Sequence, residues 1–510
     1  MTLAGENLLH NVSRDLDLMP FWSVSIDRDL RAKANMGGPG HNVGRWWDAL
    51  LRLQAATRFE IPEHVEAAML RNLARCLDNP FGISGRIHGE HSGSVFYHSQ
   101  RETLLALACL ARYRESSLAA EQGGRMVRAL DRYILPDGRW DIGAIERTSE
   151  QHGITPKPYE FAPHEDEGVY LTHSHGRLLE ALLEFYTASG DEMALALAAR
   201  LAPYHLEHST RPDGTVPPGA PLHTHSLFGT YRGLLMFGRL SRQHEYTERI
   251  AKTYARTVRA SVKRSGFISH DWAADSRGET TSPGDAAQLA FRLAQCGYPQ
   301  YLDDAERLVR CRILPSQITT RLGLTPREDA DRDAYRDLDS RALGAFGGMH
   351  RHPHGEALPT TDITAADLHT LCDIYTHIVE PTELGLRVNF HFDYEDEHVR
   401  VNSERSEAAR LVVRPKSRRP LLIRVPGWTP SGSVRLSTDG TLRPNTWIGD
   451  SLLVTGGDLG ATVEVEYELP LTTVLETTDG VEYEFSWRGD EIIGVRPNTD
   501  FLRFYPTAGE

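Results

Sequence analysis

Residues 172–191 read THSHGRLLEALLEFYTASGD, and their period decides the fold. Leu178, Leu179, Leu182, Leu183 and Tyr186 recur at intervals of three and four, one apolar stripe of an amphipathic helix. The same period returns at Tyr246, Ile250, Tyr254 and Val258, and again at Tyr301, Leu302, Ala305, Leu308 and Val309. Turn signals separate such runs: LPDGRW (135–140), RPDGTV (211–216) and KRSGFIS (263–269). Pro-Asp-Gly supplies the fixed φ and the permissive glycine of a tight turn. Separations of roughly 50 to 75 residues suit a unit of two helices and a loop, which cannot bury its own apolar face and must stack on its neighbours. With this many units the stack closes into an (α/α) barrel, a toroid whose loops gather over one mouth. No segment alternates strand and helix as a doubly wound sheet would, which argues against a nucleotide-binding fold.

Near residue 385 the period changes. RPLLIRVPGW (419–428), SLLVTGG (451–457) and ATVEVEYELP (461–470) are short and alternating. In the last, Val463, Val465 and Tyr467 alternate with Glu464, Glu466 and Glu468, the pattern of a half-exposed strand. The sequence therefore predicts a mainly α protein of two domains: an (α/α)-barrel catalytic domain over residues 1–384 and an antiparallel β-sandwich over 385–510. A chain of 510 residues is too long for one ordinary core, which agrees.

With 40% hydrophobic and 25% charged residues the chain reads as globular. Its formal charge of −14 argues against a nucleic-acid partner, which needs clustered Lys and Arg. The basic run RPKSRRP (414–420) reads as a solvated loop. Five cysteines, odd in number and without C-x-x-C spacing, make neither a disulfide framework nor a zinc knuckle. Nowhere do eighteen apolar residues run together, and the first twenty hold no continuous apolar core of a leader. A cytoplasmic protein without a membrane partner is expected, acting on a small imported substrate; a homodimer is compatible with the chain.

Chemistry-bearing residues fall at loop-to-helix junctions, the natural site positions of such a ring. GPGHNVGRWWDALL (38–51) carries His41, Arg45, Trp47 and Asp48; IHGEHSGSVFYHSQRETL (87–104) carries His91, Tyr97, His98, Arg101 and Glu102. PHEDEGVYLTHSHGR (163–177) has Glu167, Tyr170, His173 and His175, and LHTHSLFGTYRGLL (222–235) has His223 and His225. ISHDWAADSRGETTSPGDAA (268–287) adds His270, Asp271, Trp272, Glu279 and Asp285, and MHRHPHGEALPTTDITAADLH (349–369) adds Asp362. Aromatic faces cover sugar C–H surfaces while His, Asp, Glu and Arg bond hydroxyls, so this composition points to a small carbohydrate. Each place also has a plainer reading: Ser99, Thr172 and Ser174 as helix caps, the acids 165–167 as a solvated loop, and one of the adjacent Trp46 and Trp47 as core.

The two His-x-His pairs raise the question of a metal. Residues i and i+2 share a face on a strand, but on a helix they diverge by about 200°. Both pairs run straight into helical stripes; four histidines could still converge on a metal from two loops, but without a carboxylate or cysteine at ligand spacing the expectation is no metal and no cofactor.

THSHGRLLEALLEFYTASGD, followed by HTHSLFGTYRGLLMFGRLSRQHEYTERIAKTYARTV, resembles the barrel of bacterial β-L-arabinofuranosidases of glycoside hydrolase family 127, with histidines ahead of a helix that ends in a turn like Tyr186–Asp191. LGLRVNFHFDYEDEHVRVN and RPLLIRVPGW are similar to that family's passage into its β-sandwich. The resemblance implies a sugar-sized pocket with His173, His175, His223 and His225 as hydroxyl ligands. It also implies a zinc-held cysteine nucleophile, with Glu-x-Cys and Cys-Cys ligands and a separate glutamate as acid/base. Here the sequence departs: TTSPGDAAQLA (280–290) has no cysteine, the Cys-Cys position falls near Thr361 and Asp362, and Cys372 lies about ten residues beyond.

What remains is carboxylate chemistry: an acid to protonate the leaving oxygen and a second carboxylate as nucleophile or base. Asp271 and Asp362 are the first candidates, with Glu102 and Asp48 behind them. The expected activity is exo-acting hydrolysis of a small glycoside. A lyase or dehydratase, with a His or Tyr base and Arg45, Arg101 or Arg177 neutralising a uronate, is the alternative, and a non-catalytic sugar-binding protein the third reading.

Overall fold

Among the described residues six helices form a closed inner ring, with outer helices packed around it. In this computed structural model the described residues are 1–155, 175–218, 220, 223–274, 277–348, 355, 358–430 and 432–509. The inner helices are α2 (Pro39–Thr57), α4 (Gln100–Tyr113), α6 (Leu178–Ser189), α8 (Thr224–Leu240), α10 (Thr281–Gln295) and α12 (Thr361–Thr376). Each packs against the next in this order, and α12 returns to α2. Outside them lie α1 (Thr2–His10), α3 (Glu63–Leu77), α5 (Ser117–Arg132), α7 (Glu192–Ser209), α9 (His244–Thr253) and α11 (Leu302–Leu308). Five inner helices are each followed by an outer one that brings the chain back, while α1 fills the outer position between α12 and α2. The inner N-termini therefore gather at one end, the mouth.

The local chemistry follows the sequence. Gly190 ends α6 at φ +73°, and the Asp191 carboxylate accepts the Met193 and Ala194 N–H groups (3.0 and 3.2 Å) to start α7. The three expected tight turns place Gly138, Gly214 and Gly266 at φ +90°, +84° and +79°. Gly44 is needed for a different reason: a Cβ there would lie 2.5 Å from the Glu102 backbone, so α2 and α4 touch through it. In α6 every residue from Leu178 to Phe185 is buried, Glu180 and Glu184 included. The apolar stripe faces the outer helices, and a second, polar stripe faces the lumen.

After α12 the chain turns to strands. One sheet has six, in the order Thr441–Arg443, Arg435–Thr438, Val463–Glu468, Ala408–Pro415, Val399–Arg405 and Tyr394–Glu395, all antiparallel. The other has five, in the order Trp447–Ile448, Ser451–Val454, Leu421–Arg424, Gly385–Val388 and Val379–Thr382. Its Leu421–Arg424 and Gly385–Val388 strands pair in parallel, a departure from the all-antiparallel expectation. Val463, Val465 and Tyr467 point inward and Glu464, Glu466 and Glu468 outward, the alternation read from the sequence. A third sheet, Leu471–Thr478, Val481–Arg488 and Glu491–Arg496, packs Phe485 and Trp487 with Cys311 and Ile318, which follow α11. At the mouth, Ser23–Ile26, Arg31–Asn35 and Thr325–Pro326 make a small sheet for which the sequence reading had no expectation. No described helix is long and apolar enough to cross a membrane.

Ring and strands are locked by buried charge. Arg424 reaches Asp303 and Glu306 of α11, and Arg310 bonds Glu306 (2.9 Å). His391 sits among them, its Nε2–H donating to the Arg424 carbonyl (2.7 Å) and its Nδ1 accepting from the Tyr467 hydroxyl (2.6 Å). Both ring nitrogens are thereby used by a neutral imidazole. Burial pushes the His391 pKa down to about 4, against the pull of Glu306. A histidine depressed in the folded state keeps its full stabilisation above the unfolded pKa and loses it as pH falls. Stability should therefore decline between about pH 6.5 and pH 4, by roughly 3 kcal/mol from His391 alone. Thermal unfolding across that range should show the fall in the wild type and a shallower one in His391→Gln; equal slopes would contradict the assignment.

Candidate active site

The lumen of the ring is filled by a column of paired charges. Each inner helix contributes to it at helical spacing: His41, Arg45, Asp48 and Arg52 from α2; Arg177, Glu180 and Glu184 from the start of α6 and its first two turns; Asp285, Gln288 and Arg292 from α10; Asp362, His369 and Asp373 from α12. Arg101 of α4 grips Glu180 through Nε and Nη2 (2.9 and 2.7 Å) and Glu102 through Nη1 (3.0 Å). Arg232 of α8 reaches Glu180 (2.8 Å) and Asp285 (2.7 Å). Deeper, Asp48 binds Arg52 (2.8 Å) and His369 (2.6 Å), and Arg52 and Arg292 both meet Asp373.

At the mouth the column ends on Asp362. Its Oδ1 accepts from Arg45 Nε (2.7 Å) and His41 Nε2 (2.8 Å). Burial alone would raise this carboxyl, but the Arg45 guanidinium and His41 outweigh it and hold it well below the usual range. Asp362 is thus an ionised carboxylate whose side chain retains 14% exposure, whereas that of Glu102 has none. Arg45 Nη2 also points at His225 Nε2 (2.9 Å). A guanidinium can only donate, so Nε2 accepts, and the His225 proton sits on Nδ1, bonded to Asp285. Burial raises the Asp285 carboxyl to about 6 despite Arg232.

Asp362 and Glu279 line one cavity of about 290 Å³, walled by Trp22, Val24, Ile26 and Leu358. Trp22 is brought there by the small N-terminal sheet, its carbonyl accepting the Thr361 N–H (2.8 Å). Glu279 ends a segment that pairs with itself at Ser269 and Gly278 and is tied to the start of α8 by the His223–Asp271 bridge and by Thr224, which donates to the His270 carbonyl (2.8 Å).

The residues expected from sequence separate by depth. His41, Arg45, His98, Glu102, His225 and Asp362 meet at the top of the column, with His98 stacked on His41 (4.9 Å) and accepting from Arg177 (3.2 Å). His223, His270 and Asp271 border the same end, and half-buried Trp272 lies beside them in sequence. Glu102 and Asp48 are held ionised inside the column. Burial would raise both, but Arg177, His41 and Arg45 hold Glu102 low and His369 and Arg52 hold Asp48 low, with neither side chain more than 2% exposed. Arg101 is consumed by Glu180 and Glu102. Trp47 is core, edge-on to Trp46 with its Nε1–H on the Met69 carbonyl of α3 (3.4 Å). His175 packs between the rings against Trp140 (4.6 Å) and His205 (5.4 Å). Tyr97 packs edge-on to Trp140, and His91 bonds the Thr155 carbonyl (3.2 Å). Glu167, Tyr170 and His173 lie outside the described residues.

The sequence reading missed Trp22, Arg232 and Glu180 and left Glu279 and Asp285 without roles. Their signal was present in part: one or two charges inside an apolar helical window, as in LLEALLEF and GTYRGLLMF.

The zinc–thiolate group implied by the resemblance does not fit these residues. All five cysteines lie elsewhere: Cys76, Cys109, Cys311 and Cys372 are buried and Cys296 half-buried. Cys109 donates to Asp48, and burial pushes the Cys76 thiol up to about 12. Thr281 and Thr361, at or beside the expected ligand positions, are buried hydroxyls.

No protein-family model matches this chain, and no curated protein matches it by sequence. Among solved structures it is similar to Ara127N, a GH127 β-L-arabinofuranosidase from Geobacillus stearothermophilus T6 (TM-score 0.55, 13% identity, covering 89% of this chain and 76% of that one). It is also similar to the GH127 β-arabinofuranosidase BT3674 (TM-score 0.58, 12% identity, 96% and 78%) and to a protein described as a glycoside hydrolase (TM-score 0.57, 11% identity, 89% and 77%). The architecture, an (α/α) toroid followed by β-sheets, is shared with these proteins.

Removing one member of the column strands its partners. Arg232→Met leaves Glu180 and Asp285 without a shared cation and should cost about 3–5 kcal/mol in denaturant unfolding. A loss below about 1 kcal/mol would mean that the charges are solvated rather than paired.

Proposed function

We propose that this protein is a carbohydrate-active enzyme that hydrolyses a small glycoside at the mouth of the ring. The observation that carries this reading is the cavity beside Asp362: an aromatic wall, a carboxylate held ionised by Arg45 and His41, and a second acid, Glu279, on the same lining. At about 290 Å³ the space suits one sugar ring, near the lower end of small-ligand pockets. Such a space favours exo-acting cleavage of a terminal residue. The likeness to glycoside hydrolases supports the fold that presents this cavity.

In this reading Asp362 is the carboxylate that acts on the anomeric carbon or on the attacking water, because it is charged, partly exposed and fixed at two points. Asp271, with 42% of its side chain exposed at the same end of the ring, is the second carboxylate of this reading and serves the leaving oxygen. Trp22 covers the apolar face of the ring, and His41 and Arg45 hold the carboxylate in register. Elimination is less well supported: Arg45 and Arg177, which would neutralise a uronate, are already committed to Asp362 and Glu102.

Asp362→Asn should lower turnover of a reactive aryl glycoside by about 100- to 10,000-fold, with sugar binding by calorimetry changed only a few-fold. Product analysis should show a reducing sugar. An unsaturated product, or full turnover in Asp362→Asn, would overturn the reading.

A further inference from the structure

We propose that His223, His270 and Glu279 bind a divalent cation of the zinc type at the mouth of the ring. One ligand atom from each lies within 4.8 Å of the others. His223 Nε2 is 3.7 Å from Glu279 Oε1, and the His223 and His270 rings lie 4.4 Å apart between centroids, tilted by 50°. Two donors that each sit about 2.0–2.2 Å from zinc are themselves roughly 3 to 4 Å apart, so the cluster closes on an ion when its widest pair draws in by about 1 Å. Each imidazole is also steered from behind: His223 Nδ1 bonds the Ser226 hydroxyl (2.8 Å), and His270 Nδ1 meets Asp271 (3.1 Å). A hydroxyl or carboxylate behind a histidine fixes its orientation and, when it accepts, raises its basicity as a ligand.

The backbone holds the three donors together independently of any ion. Residues 223 and 271 form a bridge, Thr224 N–H and Oγ1 bond the His270 and Ser269 carbonyls (2.8 and 2.6 Å), and Ser269 pairs with Gly278 next to Glu279. Two nitrogens and one carboxylate oxygen suit zinc better than magnesium or calcium, which take oxygen. The set shares no sulfur with the zinc–thiolate group excluded above. It also revises the expectation that neither His pair holds a metal. The helical divergence argued from sequence is real, since His225 turns down to Arg45 and Asp285, but it frees His223 to meet ligands from another loop instead of its neighbour.

Three protein donors leave an open position. Glu279 also lines the cavity beside Asp362, so that position is set to take adjacent hydroxyls of the sugar. Only this last assignment rests on the glycosidase reading; binding of the ion does not.

The test is metal content and affinity on the full chain. Protein stripped with chelator, loaded with zinc and desalted should retain one zinc per chain, and calorimetric titration should show binding weakened at least 10-fold in His270→Ala and in Glu279→Gln. Their circular dichroism without zinc should match the wild type. No stoichiometric zinc in the wild type, or unchanged binding in both variants, overturns the proposal and leaves adventitious metal only. If the variants fail to fold, X-ray absorption of the zinc-loaded wild type decides: two imidazoles and oxygen support it, and sulfur ligands or fewer than two imidazoles overturn it. Zinc bound through these residues without glycoside turnover would sink the function proposed above and leave the ion site standing.

Discussion

The ring depends on pairing charges inside it. Six helices packed side by side leave a lumen too wide for apolar side chains from one face alone, and this chain fills it with arginine, carboxylate and histidine. Removing such charges from water costs several kcal/mol each, and only close, multiply bonded partners offset that. Arg101 and Arg232 therefore both converge on Glu180, and Arg45 on Asp362. The same constraint fixes the helices' rotation: a helix turned by one residue would strand a charge against the apolar layer between the rings.

Function grows from the end of this column. Deep members are ion-paired with their neighbours and closed off from the cavity, so they exchange no proton with a ligand. At the mouth Arg45 and His41 keep Asp362 charged, and its side chain retains some access to the cavity. The three-donor cluster of His223, His270 and Glu279 borders the same end. Asp48 and Asp362, both acids on inner helices, thus differ in chemistry because one lies a turn or more below the other in the lumen.

Much of this was legible in the sequence. The apolar stripe of Leu178–Tyr186, the Pro-Asp-Gly turns and the Val463–Tyr467 alternation all fold as they read. The polar stripe was equally periodic, at 41, 45, 48 and 52, yet a charged helical face ordinarily means solvent, and one chain read alone does not say that six such faces meet. The His pairs show the same limit. Spacing correctly separated His223 from His225, but it could not say that His223 would meet His270 and Glu279 from a loop about fifty residues on. Trp47 and Glu102 were junction residues by position and core or column residues by rotation. Trp22 arrives through a strand pairing across more than 300 residues, beyond the reach of local pattern.

The central claim is that the column keeps Asp362 ionised at the mouth, and its most direct test is the acid side of the pH profile. kcat/KM for an aryl glycoside should be followed from neutral pH down to about pH 4.5 in the wild type and in Arg45→Met. The account predicts no acid limb from Asp362 in the wild type over that range and a new one in the variant, as burial, no longer outweighed by Arg45, raises the carboxyl above its ordinary range. Superimposable profiles would contradict it.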